Sequence, residues 1–201
     1  MGSDLLRDFP VAQRLYEQAN NLLGYDLVRL CLEGPEEELR FTRHTQPALL
    51  VHSLACLEIF RELTDNRVRP VLAAGHSLGE YCALVAAGAL SFETALRLVQ
   101  KRGEYMGAHG AGEMLAFPLH LDNIQRLAEK HYCVIAARNL PDQTVVGGLG
   151  EDLDRLTEDA HTHFPRKRPT RLKTEGAFHT FYMITAAQHY RPVLDLSLIH
   201  I

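Results

Sequence analysis

The chain has 201 residues, 46% of them hydrophobic, and a formal net charge of -4 from 21 basic and 25 acidic side chains. That much apolar content supports a packed core in one domain, or one domain with an insert, and excludes an extensively disordered chain; the weakly acidic balance excludes the electrostatic footprint of a nucleic-acid binder. Cys31, Cys56, Cys82 and Cys133 form no C-x-x-C pair, so neither a zinc site nor a disulfide framework is expected, and with no targeting or membrane-spanning run in view the expected setting is a reducing cytoplasm.

In chain order, residues 9–23, FPVAQRLYEQANNLL, place Val11, Leu15, Tyr16, Ala19, Leu22 and Leu23 at helical spacing behind Pro10, with Gly24 as the stop. The acidic stretch EGPEEELRFTRH reads as a polar connection to Thr45, the predicted N-cap of a helix, QPALLVHSLACLEIFREL, apolar around most of its circumference. His52 and Ser53 within it read as satisfied core or edge groups. VLAAG, at 71–75, has the length and composition of a buried parallel strand. It runs into GHSLG and then EYCALVAAGAL, a predicted helix, after which Ser91 caps another, FETALRLVQKRGEYM, with Glu93 in its first turn.

From Gly110 the pattern changes. GEMLAFPL, YCVIAARN, QTVVGGL and PTRLKT read as short strands, with LDNIQRLAEKH and EDLDRLTEDAHTHF as helices among them. The resulting order, βαββαβ, is the ferredoxin-like pattern, so residues 111–174 are predicted to form a small insert in a core made of 1–110 and 175–195. The run Arg166, Lys167, Arg168 between two prolines reads as a solvated loop, with docking of an acidic partner as the alternative.

A lone G-x-S-x-G is a weak signal, but strand, glycine-edged turn and helix together are the context of a nucleophile elbow. In such an elbow the Ser77 hydroxyl is held exposed, Gly75 and Gly79 let strand and helix approach, and the Leu78 N–H points from the helix start toward a developing oxyanion. A serine also needs a base. His76 adjoins Ser77, but neighbours in a tight turn point apart, and a structural hydrogen bond is the better reading of it. Spacing alone selects none of the other histidines; His179, in GAFH, sits in a small-residue context where the chain re-enters the core. Arg102 alone reads as a surface residue late in an amphipathic helix.

Four stretches, in order, resemble the malonyl-CoA:acyl carrier protein transacylase family: TQPALLVHSLA (45–55), AGHSLGEYCALVAAGALSFETALRLVQKRGEYM (74–106), RNLPDQTVVGG (138–148) and GAFHTFYM (176–183). Their wording is most similar to the discrete transacylases that serve polyketide synthases. The resemblance implies an α/β fold, in which an α/β-hydrolase-like core with a parallel sheet carries the ferredoxin-like insert, in a monomer. It implies Ser77 as the acylated nucleophile, His179 as general base and acid, Leu78 as a backbone oxyanion donor, and Gly176 and Phe178 as acyl-pocket residues. Arg102 would grip the free carboxylate of the malonyl group, a task suited to a guanidinium, which pairs through two parallel hydrogen bonds and keeps its charge.

The implied reaction is ping-pong transfer from malonyl-CoA to the phosphopantetheine thiol of an acyl carrier protein, in fatty-acid or polyketide synthesis, with no metal and no cofactor. An acyl hydrolase that clears carrier proteins, and a non-catalytic chain that only docks one, are the competing readings. Arg102 weighs against the hydrolase, because a diacid clamp has no use for plain acyl chains. The family opens with a buried strand and a GQGSQ-like turn that supplies part of the oxyanion hole, whereas this sequence starts at MGSDLL and ends on LSLIHI, outside the family pattern. One core strand and one oxyanion donor are therefore expected to be missing. Residues 196–201, encodable as CTG TCT CTT ATA CAC ATC, are expected to be read-through of a sequencing adapter rather than native chain.

Overall fold

A computed structural model describes residues 1–198 as a mixed helix-and-sheet protein with two compact units, Met1–Glu104 with the chain from Pro192, and Tyr105–Arg191. The first unit is built from helices α1 (Ser3–Asp8), α2 (Pro10–Leu23), α3 (Leu27–Glu33), α4 (Glu36–Arg40), α5 (Thr42–Leu63) and α6 (Gly79–Ala86), and from α7 (Phe92–His109) up to Glu104. Its core joins Ala12, Tyr16 and Ala19 of α2 to Leu50, Val51 and Leu54 of α5 and to Leu96 and Val99 of α7. Pro10 occupies the first turn of α2, and Gly24 ends the helix at φ 76°, a conformation open to glycine at little cost. Ser91 accepts a 3.1 Å hydrogen bond from the Thr94 N–H at the start of α7, as its sequence position predicts.

Three expectations are corrected in this unit. The acidic connection contains α4, because Glu36, Glu37 and Glu38 fall in a first turn where the helix dipole favours them, and Arg40 pairs back with Glu36. Helix α5 begins at Thr42 rather than after Thr45, whose side chain instead donates to the Leu39 carbonyl at 2.6 Å, so Pro47 lies inside the helix. The parallel strand expected at 71–75 is irregular chain, with Val71 94% and Leu72 88% exposed. A strand needs a neighbour to take up its N–H and C=O groups. Among the described residues there is one sheet, antiparallel and in the second unit, and no parallel sheet of a core.

That sheet comprises β1 (Glu113–Phe117), β2 (Val134–Leu140), β3 (Gln143–Gly148) and β4 (Thr170–Arg171), in the order β2-β3-β1-β4. Helix α8 (Leu121–Lys130) follows β1, and α9 (Gly150–His163) follows β3. Alternation decides which side chains go where. Leu115, Phe117 and Val146 pack with Ile124 of α8 and with Leu153 and Leu156 of α9. Met114 and Val145, on the other face, pack with Ala177, Phe178 and Tyr182 from the chain that follows. That chain makes a 3₁₀ turn (Phe181–Met183) and enters α10 (Ile184–Leu198). The expectation for residues 196–201 falls partly on 199–201, which lie outside the described residues. Among the described residues no helix is long and apolar enough to cross a membrane.

Candidate active site

The turn GHSLG is wound tightly. A Cβ on Gly75 would lie 1.9 Å from the backbone C and O of Gly79 and 2.5 Å from the N of Glu80, so only glycine lets the chain cross the start of α6 here. Gly79 differs from expectation: a Cβ there meets nothing within 4 Å, and its place as the first residue of α6 requires no glycine. Between them Ser77 sits at φ 53°, the left-handed region that a residue with a Cβ occupies only when its surroundings hold it there. The N–H groups of Gly79, Glu80 and Tyr81 bond to the carbonyls of His76, Ser77 and Leu78 at 2.9–3.1 Å, which locks the turn onto the helix. Leu78, buried, is the N-cap residue, and its N–H stands at the positive end of α6. The tight turn and the helix of the expected elbow are therefore present, and the strand expected to lead into them is not.

A second close approach brings the cation in. A Cβ on Gly103 would lie 2.6 Å from the Thr42 carbonyl oxygen and 2.8 Å from the Arg43 Cα, so α7 presses directly on the first turn of α5. From this crossing Arg102 donates through Nη1 to Gln46 Oε1 at 2.7 Å and through Nη2 to Ser77 Oγ at 3.1 Å. Gln46 is 5% exposed. Ser77, Leu78, Arg102 and Gln46 thus come together in the first unit from the elbow, α7 and α5. The arrangement sets a cation against a serine hydroxyl, chemistry able to hold an anionic group close to that hydroxyl. Gln46 was not anticipated from sequence; the available signal was a carboxamide heading an otherwise apolar helix.

The other expected residues lie in the second unit. Gly176 is buried, and the next N–H, that of Ala177, donates to the Ala111 carbonyl at 2.8 Å. Phe178 is half-buried against the Met114 and Val145 face of the sheet. His179 is exposed and, like Ser77, has a positive φ, 62°. The turn around it is tied by the Thr180 hydroxyl, which donates to the Ala177 carbonyl at 2.5 Å. Burial pushes the Cys82 thiol of α6 up from its ordinary value, which disfavours its thiolate form.

Comparison with known proteins places this geometry in context. A family profile described as acyl transferase domain matches residues 1–196. A protein of Drosophila melanogaster named as a probable mitochondrial malonyl-CoA-acyl carrier protein transacylase is 42% identical over 96% of the chain and 55% of its own length. The polyketide biosynthesis malonyl CoA-acyl carrier protein transacylase BaeC of Bacillus velezensis is 39% identical over 97% of the chain and 67% of its own length. A solved structure of a malonyl-transacylase in complex with its type II polyketide-synthase acyl-carrier protein aligns with a TM-score of 0.89 at 37% identity, covering 97% of this chain and 65% of that one. The chain thus spans between about half and two thirds of the length of these relatives.

Proposed function

The chain belongs to the acyl transferase domain family, and on that premise we propose that it transfers a malonyl group from malonyl-CoA to the phosphopantetheine thiol of an acyl carrier protein, in fatty-acid or polyketide biosynthesis. The observation that carries this reading is the Arg102 guanidinium 3.1 Å from Ser77 Oγ. It offers a carboxylate two parallel donors beside a hydroxyl held in a strained elbow, which suits a diacid thioester and not a plain acyl chain.

In this reading Ser77 Oγ attacks the thioester carbonyl and its proton passes to His179. The negative carbonyl oxygen is met by the Leu78 N–H, and as the C–S bond breaks the proton goes to the departing CoA thiolate. The carrier-protein thiol then gives its proton to His179, attacks the malonyl ester and returns Ser77 to its hydroxyl form. Gly176 and Phe178 bound the acyl pocket. The four-stranded body, residues 111–174, is read as a ferredoxin-like insert, and residues 1–110 and 175–195 as parts of an α/β-hydrolase-like core. The protein acts as a monomer in the cytoplasm, whose reducing milieu suits four free cysteines.

Incubation with radiolabelled malonyl-CoA and, separately, acetyl-CoA, followed by mapping of the label, tests this. Malonyl should load onto Ser77 in preference to acetyl, and Arg102→Ala should erode that preference by about ten- to a hundred-fold, the value of hydrogen bonds to a charged group. Loading that survives Ser77→Ala, or malonyl selectivity that survives Arg102→Ala, would overturn it.

A further inference from the structure

We propose that Arg102 is also a latch on the nucleophile: its Nη2 covers Ser77 Oγ in the free protein, and a substrate carboxylate uncovers the serine by taking that donor away. The inference rests on the reading of Ser77 as nucleophile and Arg102 as carboxylate binder, and adds to it a control on when the serine can react.

The geometry points this way through two contacts. A serine hydroxyl has one O–H and two acceptor lone pairs, and nucleophilic attack consumes one of the lone pairs. Arg102 Nη2, at 3.1 Å, donates to that oxygen, and the bond is charge-assisted. Gln46, buried on α5, holds the other nitrogen at 2.7 Å and keeps Nη2 turned toward the serine. A carboxylate is a better partner for Nη2 than a neutral hydroxyl, and it can accept from the guanidinium through two parallel bonds. The arriving diacid therefore competes Nη2 away from Oγ while the Gln46 end remains a pivot. An uncharged acyl thioester cannot do this, and meets a serine with one of its two lone pairs occupied by a charge-assisted bond. Selectivity then acts twice, once in binding and once in releasing the nucleophile.

The two roles separate with an electrophile that has no carboxylate. Diisopropyl fluorophosphate phosphorylates a reactive serine: the Oγ–P bond forms, the P–F bond breaks, fluoride leaves and the hydroxyl proton passes to base. Its rate of reaction at Ser77 is followed by intact-mass spectrometry, with Ser77→Ala as the control for labelling elsewhere. The latch predicts that Arg102→Ala, and the closer-sized Arg102→Gln, react about ten-fold faster than the parent, the value of one charge-assisted hydrogen bond. It also predicts that acetate at tens of millimolar, enough to occupy a weak carboxylate site, speeds the parent and leaves both variants unchanged. Acetate fills the carboxylate position without reaching into the acyl site. If the arginine instead activates the serine by stabilising its alkoxide, both variants will be slower, and the latch is overturned. Indifference to acetate, or no reaction at Ser77 in any form, overturns it as well. A chain that shows the acetate response but takes no malonyl from malonyl-CoA refutes the proposed transfer and leaves the latch standing; one that loads malonyl without the response refutes the latch alone.

Discussion

Substituting each glycine of GHSLG in turn separates an elbow from an incidental glycine-edged loop. In Gly75→Ala the added Cβ lies 1.9 Å from Gly79 C and O, about 1.5 Å inside ordinary van der Waals contact, and 2.5 Å from Glu80 N. All three atoms are backbone at the start of α6, so no side chain can swing aside. The overlap can be relieved only by moving the turn, which strains the bonds from Gly79 N to His76 O and from Glu80 N to Ser77 O. The incoming segment, residues 71–75, is exposed and absorbs part of the shift, which holds the stability cost to the range of ordinary overpacking, about 1–3 kcal/mol. Ser77 has no such slack, because its position against Arg102 depends on the same turn. A displacement of about 1 Å at a reacting group costs on the order of a hundred-fold in rate. Gly79→Ala meets nothing within 4 Å in a helical position and should gain about 0.5–1 kcal/mol. Urea unfolding gives the stabilities, and acylation of Ser77 from labelled malonyl-CoA gives the reactivity. Equal behaviour of the two variants, or greater damage from Gly79→Ala, would refute the close crossing at Gly75.

Two further substitutions test the packing of the first unit and of the second. The Tyr25 hydroxyl is buried without a hydrogen-bond partner among the described residues, and burial pushes its pKa up; Tyr25→Phe should be neutral or stabilising by up to about 1 kcal/mol, read as a higher urea midpoint. In the second unit Asp159 of α9 accepts from Lys130 Nζ at 2.6 Å and lies 2.8 Å from His131 Nε2, just beyond α8. The hydrogen bond from Lys130, then that from His131, holds its carboxyl down to about 2 against an ordinary 3.8. A carboxyl depressed in the folded state stabilises it above the unfolded value and loses that contribution as pH falls through the folded one. Thermal melts of the parent should therefore weaken between about pH 4 and pH 2 more steeply than those of Asp159→Asn; parallel acid limbs would show that the cluster does not link the helices.

What could be read from sequence alone was decided by the range of the interactions involved. The alternating runs 113–117 and 143–148 and the helices between them are specified by neighbours two to four residues apart, and the four strands and two helices formed where their patterns put them. The start of α5 departs from the sequence pattern because the signals there are local and the deciding contact is not. Thr45 followed by Pro47 reads as a helix opening, but α7 presses on Thr42 at Gly103, and Thr45 turns its hydroxyl to Leu39. The strand at 71–75 failed for the same reason in a stronger form. Composition can make a segment suitable for a buried strand, but the ladder that would bury it must come from elsewhere.

The site divides along the same line. Ser77 and Leu78 follow from a motif five residues long, and the tightness that makes Gly75 obligatory is contained in it. Arg102 reaches Ser77 across 25 residues of chain and Gln46 across 56, and no periodicity connects these positions. Resemblance supplied the arginine because its motif is shared, but gave no reason for where its guanidinium would rest. That reason is the missing Cβ of Gly103, which lets α7 lie against the first turn of α5 and so brings a buried carboxamide and a cation to the same hydroxyl. The elbow thus makes Ser77 reachable, whereas the crossing of α5 and α7 determines what the serine touches before a substrate arrives.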